Sequence, residues 1–367
     1  MTRVSIADPR KILILRPSAL GDVCRTVPLA VSLKRAFPSA ELHWLVQRGF
    51  EDAVSAHPAV DAVIPFPRTE ATLANLINKP RARGQLAEML RRLRPEHRFD
   101  IAIDAQGLLR SGLFTRFTGA RVRIGERHAR EGAHLAYTHR VRIDPQTHAV
   151  DRMLALLDPL NITPIDDIKL HTPAHARHTA EPLLPEEPYA VVAPTARWEG
   201  KRWPIERFIS ITRHLTDERN LRVAVVASNT ERTQCAPLLN AFAGDHRVAD
   251  LVGRTTVGQL MAIIEHAAIV IANDSAALHI AAGFDRPLIG LFGPTRPSRV
   301  GPYRRDQDTI QAINPPNGVT HKDRDAGAQL MRSITVQSVV EAADLRIESL
   351  NQNPVPNDAH NPSTPTA

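Results

Sequence analysis

The sequence has little of what stabilises small secreted proteins or reads nucleic-acid bases. Its two cysteines, Cys24 and Cys235, lie far apart, which excludes a disulfide framework and a paired-cysteine metal site and is typical of a reducing cytosol. Aromatic residues make up 4% of the 367 positions, so stacking platforms for nucleic acid are few. No apolar run approaches the ~20 residues that span a bilayer. The polar N-terminus around Asp8 and Lys11 also lacks the apolar segment of a signal peptide, so we expect a cytoplasmic protein.

Positive charge is concentrated in the first half of the chain. Residues 1–165 hold 25 Lys and Arg against 16 Asp and Glu, whereas residues 166–367 hold 21 against 23. The imbalance indicates that the first half meets an anionic partner. Charge alone does not name that partner, and an arginine-rich composition without one is an equally open interpretation.

Short apolar runs alternate with longer amphipathic stretches along the chain. The apolar runs predict buried strands at 11–16, 41–46, 60–64, 100–104, 189–193, 222–227, 269–272 and 287–292. The amphipathic spacing predicts helices at 23–36, near 73–93, and at 204–215, 256–267 and 275–282. Strands separated by helices indicate parallel α/β layering. Two such units place a ligand-binding cleft between them.

A cluster of prolines between residues 160 and 188 marks a domain boundary. We therefore expect an N-terminal domain at 1–165, a proline-rich linker at 166–188 and a C-terminal domain at 189–334. A final helix at 335–350 is expected to pack back toward the N-terminal domain. The polar, proline-rich residues 351–367 predict a disordered tail.

The first strand is followed by a tight turn that ends at Asp22. The turn has neither G-x-G-x-x-G nor G-x-x-x-x-G-K-[ST], which argues against a nicotinamide enzyme and against a P-loop nucleotidase. What remains is an acidic residue at the start of a helix, just past the carboxyl end of a buried strand. Asp22 either caps that helix or faces the cleft as a reactive group. Pro28, six residues on, predicts a kink or restart of the helix.

Two segments of the second domain have the composition of a phosphate site. Residues 194–204 place a hydroxyl, Lys and Arg before a helix, where backbone donors and cations both face an anion. Residues 273–283 follow a strand, and Asp274 and Ser275 would begin a helix whose small residues allow a ligand to approach closely. A surface loop with solvated cations explains the first segment as well, and His279 is as readily a core histidine as a ligand contact.

Residues 104–108 close a strand in the first domain. Asp104 and Gln106 would share the carboxyl edge with Asp22 if the sheet is parallel, where they suit contact with a hydroxylated ligand. A cap on the following helix is the alternative for Asp104. His171, His175 and His178 have ligand-like spacing, but nothing makes their segment rigid, so we expect no metal site.

Five segments, taken in this order, resemble glycosyltransferase family 9, the bacterial heptosyltransferases, and within it the enzymes that add the first heptose of lipopolysaccharide. The segments are KILILRPSALGDV, FDIAIDAQGLLRSGL, THAVDRMLALL, YAVVAPTARWEGKRWP and VIANDSAALHIAAGFDRPLIGLFGPTRP. The resemblance covers about residues 11–345. It implies the GT-B architecture, with two Rossmann-like parallel-sheet domains facing an interdomain cleft. It further implies an inverting transfer of heptose from ADP-heptose to Kdo–lipid A, with no metal and no cofactor.

The resemblance implies a role for each motif. Asp22 matches the family's general base, and Lys201 matches the lysine on the donor phosphates. The other donor-side positions are Thr195, Asp274, Ser275, Ala276 and His279, with Asp250 at the ribose by a looser match. The acceptor-side positions are Ser18, Gly21, Asp104, Gln106, Arg130, His148 and Arg152. Ala276 stands where the family often has glycine.

The implied partners are a nucleotide-sugar, an anionic lipid-linked saccharide and the cytoplasmic face of the inner membrane, with no nucleic acid. A family member with another nucleotide-sugar or acceptor is an alternative, as is a non-catalytic nucleotide-sugar binder. A basic nucleic-acid-binding protein is a third interpretation, although no recognition module is visible in the sequence.

Overall fold

A computed structural model of the chain describes residues 8–68, 80–94, 99–185 and 188–352. It contains two six-stranded sheets in which every pairing is parallel, each with helices packed on it. This confirms the predicted α/β class with two Rossmann-like sheets. The first lobe is the part that carries the first sheet, and the second lobe is the part that carries the second.

The twelve strands within the described residues divide equally between the sheets. Those of the first sheet are β1 Lys11–Leu15, β2 Glu41–Gln47, β3 Ala62–Phe66, β4 Ile101–Asp104, β5 Val122–Glu126 and β6 His139–Val141. Those of the second are β7 Tyr189–Ala193, β8 Arg222–Val225, β9 Val248–Asp250, β10 Ile269–Asn273, β11 Leu288–Leu291 and β12 Thr309–Ile310. The runs of buried aliphatic residues in β1, β4, β7 and β10 fit strands covered on both faces.

The α-helices connect these strands and cover the sheets. In the first lobe they are α1 Leu20–Arg25, α2 Val27–Ala36, α3 Pro80–Leu93, α4 Leu109–Phe117 and α5 Ala149–Leu154. The others are α6 Ala174–Ala180, α7 Ile205–Asp217, α8 Arg232–Ala241, α9 Val257–Glu265, α10 Ala276–Gly283, α11 Pro297–Val300, α12 Arg324–Arg332 and α13 Val336–Gln352. Short 3₁₀ segments at Arg130–Ala136 and Glu199–Lys201 are also relevant to the site.

Both sheets have the same strand order. The first runs β3-β2-β1-β4-β5-β6 and the second β9-β8-β7-β10-β11-β12. In each sheet the order reverses between two central strands, β1 and β4 in one and β7 and β10 in the other. Ligands of open parallel sheets bind at such reversal points, outside the carboxyl ends of the strands. The loops that follow these four strands carry the motifs singled out in the sequence.

The helix break expected at Pro28 is present. α1 ends at Arg25, and α2 restarts at Val27 with Pro28 in its first turn. Proline has no N–H to donate to the preceding turn, so a new helix start is where it fits without loss.

Two expectations about the chain's organisation differ from the structure. The segment expected as a proline-rich linker contains α6, which packs against α9. The final helix, α13, packs on α7 and on β11 of the second sheet rather than toward the first lobe, because Val339 and Ala343 fill the apolar cluster beneath that sheet. The predicted tail beyond residue 352 and the start of the predicted helix near 73 lie outside the described residues.

Candidate active site

Asp22 lies on the first turn of α1, at the mouth of the gap between the lobes. Its carboxylate forms an ion pair with Arg16, whose Nη2 lies 3.0 Å from Oδ2, and a second with Arg25 on the same helix. The backbone N–H of Ala19 donates to Oδ2 at 3.3 Å, so Asp22 also satisfies the start of α1, as the capping interpretation expected. The side chain retains 29% exposure, which leaves it reachable from the gap.

The two arginines control the charge of Asp22. Burial by itself would raise the pKa of this carboxyl, but the guanidinium groups of Arg16 and Arg25 outweigh burial and hold the pKa well below its usual range. The carboxylate is therefore ionised across the physiological pH range. It is also a weak base for as long as both cations stay in contact with it.

Arg25 also contacts the second lobe. Its Nη1 donates to the carbonyl oxygen of Val300 at 2.8 Å, at the end of α11. Around this contact, Arg299 donates to the carbonyl of Pro145 at 2.6 Å and the Tyr303 hydroxyl donates to Asp151 at 2.6 Å. A short segment of the second lobe is thus hydrogen-bonded to the first lobe beside Asp22.

Gly21 and His279 form a close contact between the lobes. A Cβ on Gly21 would lie 2.7 Å from the His279 Cδ2 atom and 3.5 Å from the Cα of Ala276. Glycine is therefore required for α1 to approach α10 this closely. His279 is 6% exposed, and burial, with Arg25 adding to it, lowers its pKa to about 3. Gly21 thus packs on the second lobe, and its place on the acceptor side stays a prediction.

The second lobe carries a buried ion pair at its own reversal point. The Lys201 Nζ lies 2.6 Å from Asp274 Oδ2, and the Thr295 hydroxyl donates to the same oxygen at 2.8 Å. The two charged side chains are 15% and 9% exposed. Burial would raise the pKa of Asp274, but Lys201 outweighs it and the net pKa is lowered. Lys201 is therefore not the freely solvated cation of the surface-loop interpretation.

The start of α10 lies beside this ion pair and is not capped by a side chain. Buried Asn273 accepts a hydrogen bond from the backbone N–H of Trp203 at 3.1 Å and donates to the Pro194 carbonyl at 2.7 Å. These bonds fix the end of β10 to the loop after β7. Ser275 is the N-cap residue of α10, and its hydroxyl makes no capping hydrogen bond. Thr195, 6% exposed, directly follows Pro194. Free backbone donors at a helix start next to a lysine are the ingredients of an anion site.

A cavity of about 450 Å³ opens on the first lobe next to the turn that carries Asp22. Ser18 and Gln106 line it, and the Ser18 N–H donates to the Gln106 side chain at 3.1 Å. Arg68, also in the lining, donates to the Ser18 hydroxyl at 3.1 Å. Two of the expected acceptor-side residues are thus brought together beside α1, with an arginine that the sequence analysis did not select.

Asp104 orders this loop. It is 2% exposed, accepts from the N–H groups of Gln106 and Gly107 at 2.9 Å each, and accepts from the Tyr137 hydroxyl at 2.7 Å. Burial raises its pKa. Contact between Asp104 and an acceptor stays a prediction, and in this structure the Asp104 oxygens are enclosed and already accept from these donors.

The remaining selected residues are spread around the gap. His148 caps α5, and its Nε2 lies 3.2 Å from the Gly301 carbonyl oxygen, so it joins the lobes. Arg152 pairs with Glu126 at 2.9 Å. Asp250, at the carboxyl end of edge strand β9, pairs with Arg232. Arg130 is exposed, and its side chain forms no ion pair with any residue that the structure describes.

Sequence reasoning did not select Arg16 and Arg25, the partners of Asp22. Arg25 stands three positions after Asp22 on a helix, a spacing at which opposite charges meet, so the signal was available. Arg16 is the first charged residue after an apolar strand, which gives no indication of where its side chain turns. The contact of Arg25 with Val300 spans 275 positions and depends on how the lobes pack.

In the described part of the chain, no three His, Cys, Asp or Glu side chains come close enough together to hold a metal ion. Among the helices that the structure describes, none has both the length and the apolar character needed to cross a bilayer.

Comparisons with known proteins agree on one family. The model of glycosyltransferase family 9 (heptosyltransferase) matches residues 86–327. Lipopolysaccharide heptosyltransferase 1 of Pseudomonas aeruginosa is 30% identical over 303 residues, which are 81% of this chain and 82% of that protein. Escherichia coli heptosyltransferase WaaC, solved with ADP-2-deoxy-2-fluoro heptose, is 25% identical with a TM-score of 0.70. The match covers 91% of this chain and 99% of that chain. A family 9 glycosyltransferase from Veillonella parvula has the same fold, with a TM-score of 0.78 at 18% identity over 95% of this chain and all of that chain.

Proposed function

The chain belongs to glycosyltransferase family 9, the heptosyltransferases of lipopolysaccharide synthesis, and we propose that it moves heptose from ADP-heptose to Kdo–lipid A with inversion, Asp22 acting as general base. The observation that carries this proposal is the contact between α1, whose first turn holds Asp22, and the start of α10, which follows Asp274 and Ser275. A Cβ on Gly21, the neighbour of Asp22, would lie 2.7 Å from the His279 Cδ2 atom and 3.5 Å from the Cα of Ala276. This contact supports a base and an anion-binding helix start that face each other across one gap.

The donor diphosphate would bind at the start of α10. The unused Ser275 hydroxyl and the first backbone N–H groups of α10 face an anion there, and Lys201 supplies a positive charge. To contact the phosphates, Lys201 would turn part of its hydrogen bonding away from Asp274, which keeps the Thr295 hydroxyl. The donor analogue in the similar Escherichia coli enzyme supports ADP-heptose as the donor.

Asp22 would take the proton of the attacking acceptor hydroxyl. Because Arg16 and Arg25 hold its pKa low, the acceptor must displace at least one of them for the carboxylate to gain basicity. The oxygen then attacks C1 on the face opposite ADP, the bond from C1 to the phosphate oxygen breaks, and the configuration inverts. One carboxylate suffices, since a diphosphate leaves without a proton when cations and helix dipoles stabilise it.

Lys201 and the helix start would supply the positive charge for the leaving group in place of a metal ion. The acceptor would occupy the cavity that contains Ser18 and Gln106, with Arg68 facing its phosphates or carboxylates. The excess of positive charge in residues 1–165 suits an anionic lipid-linked acceptor at the cytoplasmic face of the inner membrane. Asp250 and Arg232 at the end of the second sheet would be placed to meet the nucleoside.

A donor screen tests this function. The purified chain is incubated with Kdo–lipid A and ADP-heptose, GDP-mannose or UDP-glucose, and the products are identified by mass spectrometry. We expect transfer from ADP-heptose alone, unchanged by EDTA, with the anomeric configuration inverted in the product by NMR. Transfer from another donor, a retained configuration or an EDTA-sensitive rate would each contradict one part of the proposal.

The base assignment has its own test. Asp22→Asn is isosteric and should lower kcat by about 10²–10⁴-fold while ADP affinity stays close to that of the parent chain. The matched control is Glu218→Gln, which neutralises an exposed carboxylate at the end of α7. Equal kcat values in the two variants would remove Asp22 from the mechanism.

A further inference from the structure

Three of the four large apolar side chains of helix α4 point outward, and only Phe114 packs on the apolar cluster beneath the helix. Leu109, Leu113 and Phe117, spaced four residues apart on one face, are 48%, 59% and 41% exposed. The buried residues of the helix are small or hydroxylated, among them Ser111 and Thr115. This is the reverse of an ordinary amphipathic helix on a protein surface.

The inward face of α4 is fully satisfied. The Ser111 hydroxyl donates to the Leu108 carbonyl at 2.8 Å, and the Thr115 hydroxyl donates to the Ser111 carbonyl at 2.8 Å. A Cβ on Gly112 would lie 3.0 Å from the Cα of Ala133, so small residues are what lets the helix lie this close to segment 130–136. The inward positions of α4 are thus already filled, so Leu109 and Leu113 are not core residues that have turned outward.

The exposed apolar residues of the chain concentrate at this place. Leu135, on segment 130–136 packed against α4, is 73% exposed. In the ranges that the structure describes, six large apolar side chains are exposed, and four of them lie on α4 and this segment. The other two, Ile313 and Leu345, lie on the second lobe. Such a concentration on a surface marks an interaction site.

The stretch of chain that carries the apolar face is strongly positive. Residues 105–142 contain eight arginines against two glutamates. Glu126 is paired with Arg152, and Glu131 accepts a hydrogen bond from the Leu109 N–H at 3.2 Å. Seven of these eight arginines are exposed and have no ion pair to any described residue: Arg110, Arg116, Arg121, Arg127, Arg130, Arg140 and Arg142. Apolar side chains accompanied by exposed arginines are complementary to an anionic bilayer, where lipid tails and headgroups meet both kinds of group.

The apolar face is continuous with the candidate acceptor cavity. Leu109 and Leu113 line the cavity that also contains Ser18 and Gln106. A saccharide in that cavity would therefore extend toward the exposed leucines, where the lipid that carries it would remain in the bilayer.

We propose that the outward face of α4, together with Leu135 and the exposed arginines of residues 105–142, docks the enzyme on an anionic phospholipid bilayer. This docking holds the acceptor cavity at the level of the lipid headgroups. This inference rests on the proposed function for the identity of the acceptor, and on the exposed residues for the surface itself. The docking is reversible and interfacial, because a few inserted side chains and several cations give moderate binding that salt weakens.

Vesicle binding by the full-length protein tests the surface without any sugar. Vesicles of phosphatidylcholine alone are compared with vesicles containing about one-third phosphatidylglycerol, and bound protein is measured by flotation. The variant Phe117→Ser with Leu135→Ser changes two exposed residues that do not line the cavity. It should bind anionic vesicles at least about tenfold more weakly than the parent chain. The matched control, Ile313→Ser with Leu345→Ser, should bind within about twofold of the parent.

Charge and activity give independent readouts. Arg116→Gln with Arg121→Gln should reduce the preference for anionic over neutral vesicles. With Kdo–lipid A in vesicles, Phe117→Ser with Leu135→Ser should slow transfer about tenfold or more, whereas transfer to the deacylated, water-soluble acceptor should match the parent. Failure of the parent chain to transfer to either acceptor would overturn the proposed function and leave vesicle binding as the test of the surface.

Three results would overturn the docking proposal. The first is absence of binding between the parent chain and anionic vesicles. The second is equal binding by the parent and by Phe117→Ser with Leu135→Ser, with both proteins folded by circular dichroism. The third is conversion of a dimer to a monomer by the same substitutions in sedimentation velocity, which would assign the face to a second copy of the chain.

Discussion

Arg25 of the first lobe donates a hydrogen bond to the carbonyl oxygen of Val300 in the second lobe at 2.8 Å. The same guanidinium is paired with Asp22 through its other terminal nitrogen. Any movement between the lobes that lengthens the contact with Val300 therefore also changes the field at the proposed base. The position of the second lobe and the basicity of Asp22 are linked through one side chain.

We expect Arg25→Met to shift the pH dependence of transfer. Removing one of the two cations raises the pKa of Asp22, so the acid limb of kcat/KM should move to higher pH by roughly one unit. The measurement is kcat/KM against pH with saturating donor. Arg35→Met, an exposed arginine on α2, is the control and should keep the parent profile. An unchanged acid limb in Arg25→Met would disconnect this residue from the base.

Lys201→Met should weaken ADP binding by about tenfold to hundredfold, because the ammonium group that pairs with Asp274 is lost from the proposed phosphate site. Calorimetric titration with ADP measures the effect, with exposed Lys169→Met as the control. The single variant should also unfold more easily, by on the order of 3 kcal/mol, since it leaves Asp274 buried with only Thr295 as partner. Adding Asp274→Asn should recover stability but not affinity, and recovery of both would argue against Lys201 on the phosphates.

Gly21→Ala should destabilise the chain by about 1–3 kcal/mol and slow transfer, because the new methyl group meets the His279 ring at 2.7 Å. Chemical denaturation and initial rates measure the two effects. Combining it with His279→Ala should restore part of the stability by making room. Gly84→Ala, in open space on α3, is the control and should be neutral or stabilising. A Gly21→Ala chain as stable as the parent would mean that the lobes do not meet as described.

His279 should make stability depend on pH. Its folded pKa of about 3 lies below the unfolded value of 6.5, so below pH 6.5 the unfolded chain binds a proton that the folded chain does not. Unfolding free energy should therefore fall as the pH drops, with a slope from this residue of up to about 1.4 kcal/mol per pH unit. In His279→Gln this part of the slope should be absent between about pH 4 and 6. Exposed His178→Gln serves as the control, and identical slopes in the parent and His279→Gln would contradict the burial argument.

Local signals predicted much of this fold and site. The apolar run of β1 and the tight turn after it identified Asp22, because both are encoded within a dozen residues. Lys201 and Asp274 were found in the same way, each after a buried strand of the second sheet. Two of the strands missed by sequence reasoning, β9 and β12, are short and only partly buried, so their apolar pattern is weak.

Features that depend on distant parts of the chain were not predictable. The burial of Asp104 depends on Tyr137, 33 positions away, and the role of His148 depends on Gly301, 153 positions away. The exposed apolar face of α4 was not predicted for another reason. Its leucines look like core residues in sequence, and only the packing of Gly112 on Ala133 reveals that they point outward.

Under the proposed function, acceptor recognition and donor recognition belong to different sheets. The Ser18 and Gln106 loops belong to one sheet and the Lys201 and Asp274 loops to the other. Chimeras that exchange one lobe with a relative would therefore change one substrate preference at a time, provided that Gly21 and His279 come from a single parent. In such hybrids, activity would depend on whether the glycine of one lobe still packs against the imidazole of the other.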